Sequence, residues 1–286
     1  MDAVSNKHVF SFEEGDGKNK QLLGGKGANL CEMTQIGLNV PPGFVLSTAA
    51  CLDYLSSADK ALPDGLMAAV HDQMSTLEQK TGKGFGNPDN PLLVSVRSGS
   101  AMSMPGMMDT ILNLGLNNET LVGQIRATGD ARFGYDAYRR FIQLFGKVAL
   151  GVPDEAFDKE FEFVKKAAHV EQDLDLSATE LKDISERFLK VVQEHTGHPF
   201  PEDPYEQLEI AIKAVFGSWT GKRAVDYRKQ FHITPDMAIG TAVNVCTMVF
   251  GNRGDDSGTG VAFTRNPATG ENKLYGEYLI NAQGED

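Results

Sequence analysis

An arginine between two predicted strands is the first candidate for a ligand-binding residue. The segment PLLVSVRSGSAMSMPGMMDTILNLG, residues 91–115, has β-formers at both ends and predicts a strand, a flexible polar loop and a second strand. Arg97 is expected where the first strand ends. The residues that follow are small and mostly polar: Ser98, Gly99, Ser100, Ala101 and Ser103. A guanidinium beside hydroxyl and backbone N–H donors suits polyphosphate, and an ordinary hairpin with a solvated or salt-bridged arginine explains the loop equally well.

A lysine among glycines is the second candidate. Lys26 lies in the run LLGGKGANL, residues 22–30, and apolar residues at helical spacing follow it. It is therefore predicted at or just before a helix N-terminus, where free N–H groups and the helix dipole favour a phosphate. The run is not a Walker A loop, because Gly27 stands where Ser or Thr is required. Glycines that only let the helix start close to a strand are an equally good interpretation.

Two further features lie near residue 286. Ser257, Gly258, Thr259 and Gly260 predict a small turn whose backbone is able to close over a phosphate, although such turns are common. The segment QGED, residues 283–286, places two carboxylates beyond a predicted strand, where Mg²⁺ or ribose hydroxyls are able to use them. An exposed acidic turn is the simpler interpretation of the same residues.

The composition restricts the class of partner. The 27 Lys and Arg against 39 Asp and Glu give a net charge of −12, which argues against nucleic acid or an anionic membrane as the main partner. Any anion site must therefore be local. No stretch approaches the roughly 18 apolar residues of a membrane span, and the N-terminus has no signal-peptide pattern, so a cytoplasmic location is expected. The widely spaced Cys31, Cys51 and Cys246 fit a reducing compartment and have no metal-ligand spacing.

The elements that must position these residues change in character along the chain. Residues 1–117 mix strands with helices, and residues 118–203 read as a helical insertion with charged outer faces, in which Ser177 is predicted to cap a helix. Residues 204–240 predict return helices, and residues 241–286 are rich in β-formers. The predicted strands of that last part, expected to be consecutive and antiparallel, are 241–250, 260–264 and 274–281.

Three long segments together resemble the nucleotide-binding part of the pyruvate, phosphate dikinases. They are GGKGANLCEM, VSVRSGSAMSMPGMMDTILNLG and GTGVAFTRNPATGENKLYGEYLINAQGED, and the resemblance extends from Phe10 to Asp286. Phosphoenolpyruvate synthases have a related domain, but the form of PGMMDTILNLGLN favours the dikinases. Since no closing element follows the acids at the end, the chain is expected to be a fragment of a larger enzyme.

The resemblance implies an α+β architecture, the ATP-grasp fold with two mixed α/β lobes, carrying the inserted α-helical subdomain. Residues 1–117 and 204–240 would form the first lobe, and residues 241–286 would form an incomplete, β-rich adenine-side lobe. It implies ATP, Mg²⁺ and inorganic phosphate as ligands, and a homodimeric full-length enzyme. A histidine on a downstream domain would take the β-phosphoryl group, phosphate would take the γ-phosphoryl group, and a pyruvate-binding domain would produce phosphoenolpyruvate.

Site residues follow from the resemblance by position. Lys26 and Arg97 would hold the phosphates, and Glu285 would face the ribose or the metal. The glycine-rich loop would consist of Ser257, Gly258, Thr259 and Gly260. The backbone that meets the adenine would be that of Thr247, Met248 and Val249. Phosphoryl transfer requires mainly positioning and charge neutralisation, which suits these residue types.

Other pieces of the family's machinery are not recognised in the chain. No histidine stands in the Thr-Ser-His-Ala context of the phospho-acceptor, and the metal-binding acids are expected beyond Asp286, so this chain alone is not expected to complete a turnover. Two alternatives stay open at this point. One is a phosphoenolpyruvate synthase domain, which uses water in place of phosphate, and the other is a non-catalytic nucleotide-binding or interaction module.

Overall fold

The computed structural model describes residues 7–284, and a five-stranded antiparallel sheet lies at its centre. The strands of the described part are β1 (Val9–Ser11), β2 (Gly43–Leu46), β3 (Gly84–Phe85), β4 (Pro91–Leu92), β5 (Val94–Ser100), β6 (Thr110–Leu114), β7 (Thr241–Thr247), β8 (Gly258–Phe263) and β9 (Tyr275–Ile280). The order across the central sheet is β1-β2-β7-β5-β6. Two small sheets pair β3 with β4 and β8 with β9.

Helices cover both faces of the central sheet. They are α1 (Lys20–Gln35), α2 (Thr48–Ser56), α3 (Leu66–Thr81), α4 (Asn118–Thr128), α5 (Ala131–Val148), α6 (Asp154–Ala168), α7 (Ala178–Thr196), α8 (Pro204–Ser218) and α9 (Lys222–Gln230), with a short 3-10 helix at Asp173–Asp175. The predicted cap is confirmed, because Ser177 and Glu180 form a capping box at the start of α7. Over residues 7–284, the structure has no helix of the length and apolarity that crossing a membrane requires.

Successive side chains of β5 and β7 point to opposite faces of the sheet, and the two faces belong to different cores. Val94 and Val96 join Val243 and Val245 in the larger core, together with residues of α5 and α8. On the opposite face, a smaller core combines Val45 and Ala242 with apolar residues of α1. Arg97 belongs to this second face, since it alternates with Val96 along β5. The sheet therefore directs the candidate arginine towards α1.

The strand arrangement corrects two predictions. Strand β7 pairs with β2 and β5 in the central sheet, so the expectation of three consecutive antiparallel strands after residue 240 is wrong. The reason is that β7 finds pairing partners on both of its edges, β2 and β5, which lie far earlier in the chain. The predicted turn Ser257–Gly260 is also wrong, because Gly258, Thr259 and Gly260 belong to β8 and pair with Ile280, Leu279 and Tyr278. The small residues let the β9 backbone approach closely.

The segment 118–203 is helical as predicted and shares the larger core. Helix α5 packs against α7 and against β6, and Phe157 meets Phe188 edge-on with 5.0 Å between ring centroids. Gln207 of α8 joins the two ends of this segment. It accepts a hydrogen bond from the Gly115 amide at 3.1 Å and donates to the Leu116 and Pro201 carbonyls. The mixture of helices and strands confirms the α+β class, and the proposed subdomain boundaries stay predictions.

Candidate functional site

A break inside α1 places Lys26 in a first helical turn. The helix begins at Lys20, but Gly24 has φ 68° and ψ 162°, which interrupts it. Gly25, Lys26 and Gly27 therefore form the first turn of the segment that follows, where N–H groups lack acceptors within the helix. The prediction that Lys26 lies at a helix N-terminus holds for this second segment. Glycine is required at position 24, because a Cβ there would lie 2.0 Å from the Gly99 carbonyl oxygen.

Arg97 lies within strand β5 and not at its end, which corrects the prediction. The strand continues through Ser98, Gly99 and Ser100, because these residues still pair with β7. Pairing with β6 reaches Thr110, the partner of Arg97, so the two sides of β5 end at different points. Arg97 is therefore the last residue of β5 that pairs with a strand on each side, β6 and β7.

A cleft of about 650 Å³ separates α1 from the tip of β5 and the loop that follows it. Gly25, Lys26 and Asn29 line the helix side, and residues 98–103 line the strand side. Methionines supply most of the apolar wall: Met33, Met102, Met104 and Met108. The two loops that the sequence identified separately are thus brought together in one cleft.

Lys26 and Arg97 are close enough to influence each other and are not paired with acids. Lys26 retains solvent exposure, yet partial burial first and the charge of Arg97 second lower the pKa of its ammonium group. Among residues 7–284, no carboxylate forms an ion pair with either side chain, whereas Arg126 and Arg187 each pair with acids at 3.0 Å or less. Lys26 lines the cleft, whereas Arg97 lies beside it within β5 and is not among the lining residues. Uncompensated cations near a helix N-terminus are favourable neighbours for an anion.

Cys246 lies near the two cations but stays protonated at neutral pH. Burial raises the pKa of its thiol to about 11, although the positive charges of Arg97 and Lys26 act in the opposite direction. Because the thiolate is the nucleophilic form, this cysteine is not activated. The chemistry of the cleft is therefore electrostatic, without a reactive thiol.

The sequence interpretation missed Asn244 of β7. Its side chain is fully buried, and its amide nitrogen donates to the Arg97 carbonyl at 3.3 Å. Its Oδ1 and the Nε of Arg97 are both buried without a hydrogen-bond partner in the structure. The signal that was available is a single asparagine within the apolar strand TAVNVCT, which is an unfavourable residue in a buried strand.

The remaining candidates lie elsewhere. Thr247 ends β7, and the amides of Thr247 and Met248 already donate to the Pro42 and Leu93 carbonyls, both at 2.9 Å. Val249 follows with 70% of its surface exposed. Thr259 and Gly260 line a second cavity of about 760 Å³ beside β9, together with Gln283 and Gly284. Glu285 lies outside the described residues.

The described residues offer no metal centre. Between residues 7 and 284, no group of three or more His, Cys, Asp or Glu side chains has a geometry that suits a metal ion. Among the described residues that line the cleft there is no carboxylate, and Asn29 has the one side-chain carbonyl oxygen, whereas Mg²⁺ prefers several carboxylate and carbonyl oxygens. No metal-dependent step is assigned to these residues.

Comparison with known proteins places this cleft in a family context. The chain is 59% identical over 280 residues to pyruvate, phosphate dikinase of Entamoeba histolytica, covering 98% of the chain and 32% of that protein. It is 54% identical over 286 residues to pyruvate, phosphate dikinase 2 of Zea mays, covering 99% of the chain and 32% of that protein. For the pyruvate, phosphate dikinase of Clostridium symbiosum, the identity is 52% over 281 residues, which cover 98% of the chain and 32% of that protein. The chain spans about a third of the length of these relatives.

A protein-family match covers nearly all of the chain and confirms the resemblance noted in the sequence. The matched residues are 20–80 and 58–286, and they include both Lys26 and Arg97. The family is described as "Pyruvate phosphate dikinase, AMP/ATP-binding domain". With this match and the dikinase relatives, the chain belongs to the pyruvate phosphate dikinase AMP/ATP-binding domain family.

Proposed function

We propose that the cleft between α1 and β5 binds the phosphates of ATP, with Lys26 and Arg97 as the cations that hold them. The observation that carries this proposal is the pair of neighbouring positive side chains without a carboxylate partner among residues 7–284, in a chain with net charge −12. Two neighbouring like charges repel each other, and an anion between them removes that repulsion. The first-turn N–H groups of residues 25–27 supply further donors.

The rest of the nucleotide would extend from this cleft in an ATP-grasp arrangement of two lobes. Thr247, Met248 and Val249 are proposed to meet the adenine. Since two of the three amides already donate to carbonyls, the Val249 amide and the backbone carbonyls are the proposed contacts. Residues 257–260 would cover the phosphates as part of the β8–β9 hairpin, and Glu285 would bind the ribose or a metal. Mg²⁺ is proposed only as the ion that accompanies ATP.

In the longer protein, the proposed activity converts ATP, inorganic phosphate and pyruvate into AMP, diphosphate and phosphoenolpyruvate. Within it, this chain would bind and orient the triphosphate while a histidine on a downstream domain receives the β-phosphoryl group. Lys26 and Arg97 would neutralise the charge of the transferring group, the main protein contribution to phosphoryl transfer. Dependence of the forward reaction on inorganic phosphate separates this activity from that of a synthase, which uses water.

Calorimetric titration of the chain with ATP and with inorganic triphosphate tests the proposal. Arg97→Ala and Lys26→Ala are each expected to weaken binding of both ligands by about tenfold or more, since a charge-assisted contact contributes ~1.5–3 kcal/mol. Arg126→Ala and Lys222→Ala are matched controls, because both side chains are exposed and pair with acids away from the cleft. Unchanged affinity in the first two variants would remove the phosphates from this cleft.

A further inference from the structure

A buried amide lies beneath the cleft. Asn244 on β7 stands directly opposite Arg97 on β5, and none of its surface is exposed. Its side chain fills the space that two glycines leave free. A Cβ on Gly27 would lie 2.8 Å from Asn244 Oδ1, and a Cβ on Gly99 would lie 2.8 Å from its Nδ2. The amide therefore separates the helix segment of Lys26 from the strand of Arg97.

This pair of opposite residues carries two unsatisfied buried atoms of opposite polarity. Asn244 Oδ1 is a buried acceptor without a partner, and Arg97 Nε is a buried donor without a partner. Directly opposite residues on one face of an antiparallel pair have Cβ atoms about 4.5–5.5 Å apart, a spacing at which their side chains can interact. Buried polar groups without partners are rare and unfavourable. The arrangement therefore fits a hydrogen bond that forms in a second, ligand-bound state.

We propose that Asn244 is a positioning residue for Arg97. When phosphate draws the two terminal nitrogens of the guanidinium into the cleft, the Nε–H group donates to Asn244 Oδ1. Bidentate recognition uses two N–H groups of the fork, so a third contact at Nε sets the plane of the guanidinium. This inference rests on the proposed function of the cleft.

The chemistry of the residue supports an amide in particular. A carboxylate at position 244 would form an ion pair with Arg97 and would also attract Lys26, which would neutralise the charge that the phosphate needs. A neutral amide accepts from Nε–H without competing with the anion. Its nitrogen meanwhile donates to the Arg97 carbonyl and holds the backbone of the same residue.

NMR of arginine side chains provides the most direct test. The Nε–H signal of Arg97 is assigned in the 286-residue chain by its loss in Arg97→Lys. Addition of inorganic triphosphate is expected to slow exchange of this proton with water by about tenfold, the protection of one net hydrogen bond. The slowing should be absent in Asn244→Ala. A merely structural role of Asn244 does not predict this change, and the measurement on the unsubstituted chain does not depend on whether the variant folds.

A double-mutant cycle on triphosphate affinity gives the second readout. Asn244→Ala is expected to weaken binding by about 3–10-fold when Arg97 is present, and to have no further effect in Arg97→Lys, which lacks Nε–H. Asn113→Gly is a matched control. Asn113 is also fully buried, its Oδ1 also lacks a partner, and its amide donates to the Ala137 carbonyl. Its φ of 60° suits glycine, and the affinity of this variant should equal that of the unsubstituted chain.

The outcomes separate the inference from the proposed function on which it rests. If the unsubstituted chain fails to bind triphosphate, the proposed function and the inference are both overturned. The inference alone is overturned if triphosphate binds while Nε–H exchange is unchanged. It is also overturned if the losses of affinity in Asn244→Ala and Arg97→Lys are additive in the double variant. Coupled losses together with protected Nε–H support Asn244 as the residue that orients Arg97.

Discussion

Replacing Gly24 with alanine tests the contact that brings the two halves of the cleft together. Gly24 combines φ 68° and ψ 162°, a conformation that is essentially restricted to glycine and costs other residues about 1–3 kcal/mol. The added Cβ would also lie 2.0 Å from the Gly99 carbonyl oxygen and 2.6 Å from its carbonyl carbon. Both atoms belong to backbone of a central strand, so the overlap is relieved only by moving α1 or β5.

The expected cost is the sum of these two effects. Overpacking that shifts backbone costs typically ~1–3 kcal/mol, so Gly24→Ala should destabilise the chain by about 2–6 kcal/mol, a large part of the 5–15 kcal/mol typical of domains. Gly37→Ala separates the two contributions, because Gly37 has φ 86° but nothing within 4 Å of an added Cβ. That variant should lose only the conformational part.

Urea unfolding followed by circular dichroism gives both free energies, and triphosphate titration of the folded variants gives the effect on the site. Gly24→Ala should bind triphosphate more weakly, because a displaced α1 carries Lys26 away from Arg97. Gly37→Ala should bind normally. Equal stability of the two variants would refute the argument that backbone contact at Gly99 sets the position of α1.

Three further predictions concern other parts of the structure. Gln207→Leu should destabilise the chain by about 3 kcal/mol or more, because it leaves three backbone groups unpaired; urea unfolding checks this against the exposed Gln193→Leu, where no loss is expected. The affinity for triphosphate should fall as pH rises towards 10.5, since burial and Arg97 lower the pKa of Lys26; the Lys26→Arg variant should abolish that dependence, and a persisting decline would contradict the assignment. The hydrogen bond from Lys147 lowers the pKa of Asp154 below its ordinary 3.8. The stability it provides is present above pH 3.8 and is lost as pH falls through the lowered value, so the difference in melting temperature between the unsubstituted chain and Lys147→Met should disappear in acid.

The family and the two phosphate candidates were readable from the sequence. Lys26 stands among glycines before an amphipathic pattern, and Arg97 stands between two runs of β-formers, so local propensity alone identifies both. The helices of residues 118–203 were also predicted, because their apolar stripes repeat with the helical period. Such signals depend on near neighbours along the chain and need no knowledge of tertiary contacts.

The features that were missed or wrong depend on contacts between distant segments. Position 241 begins a central strand because β2 and β5, some 150 to 200 residues earlier in the chain, flank it on both sides. The glycines at 258 and 260 are strand residues because β9 lies against them. Both outcomes follow from pairing partners that no local pattern specifies.

Residue types and their spacing were enough to predict a lysine and an arginine as phosphate candidates, and the resemblance of three long segments identified the dikinase family. Only the tertiary structure decided that α1 breaks at Gly24, that its second segment rests on Gly99, and that Asn244 lies opposite Arg97. The physical reason is that close backbone approach and buried polar partners arise between segments far apart in sequence. Residue types reveal which groups are able to act, and packing reveals which of them meet.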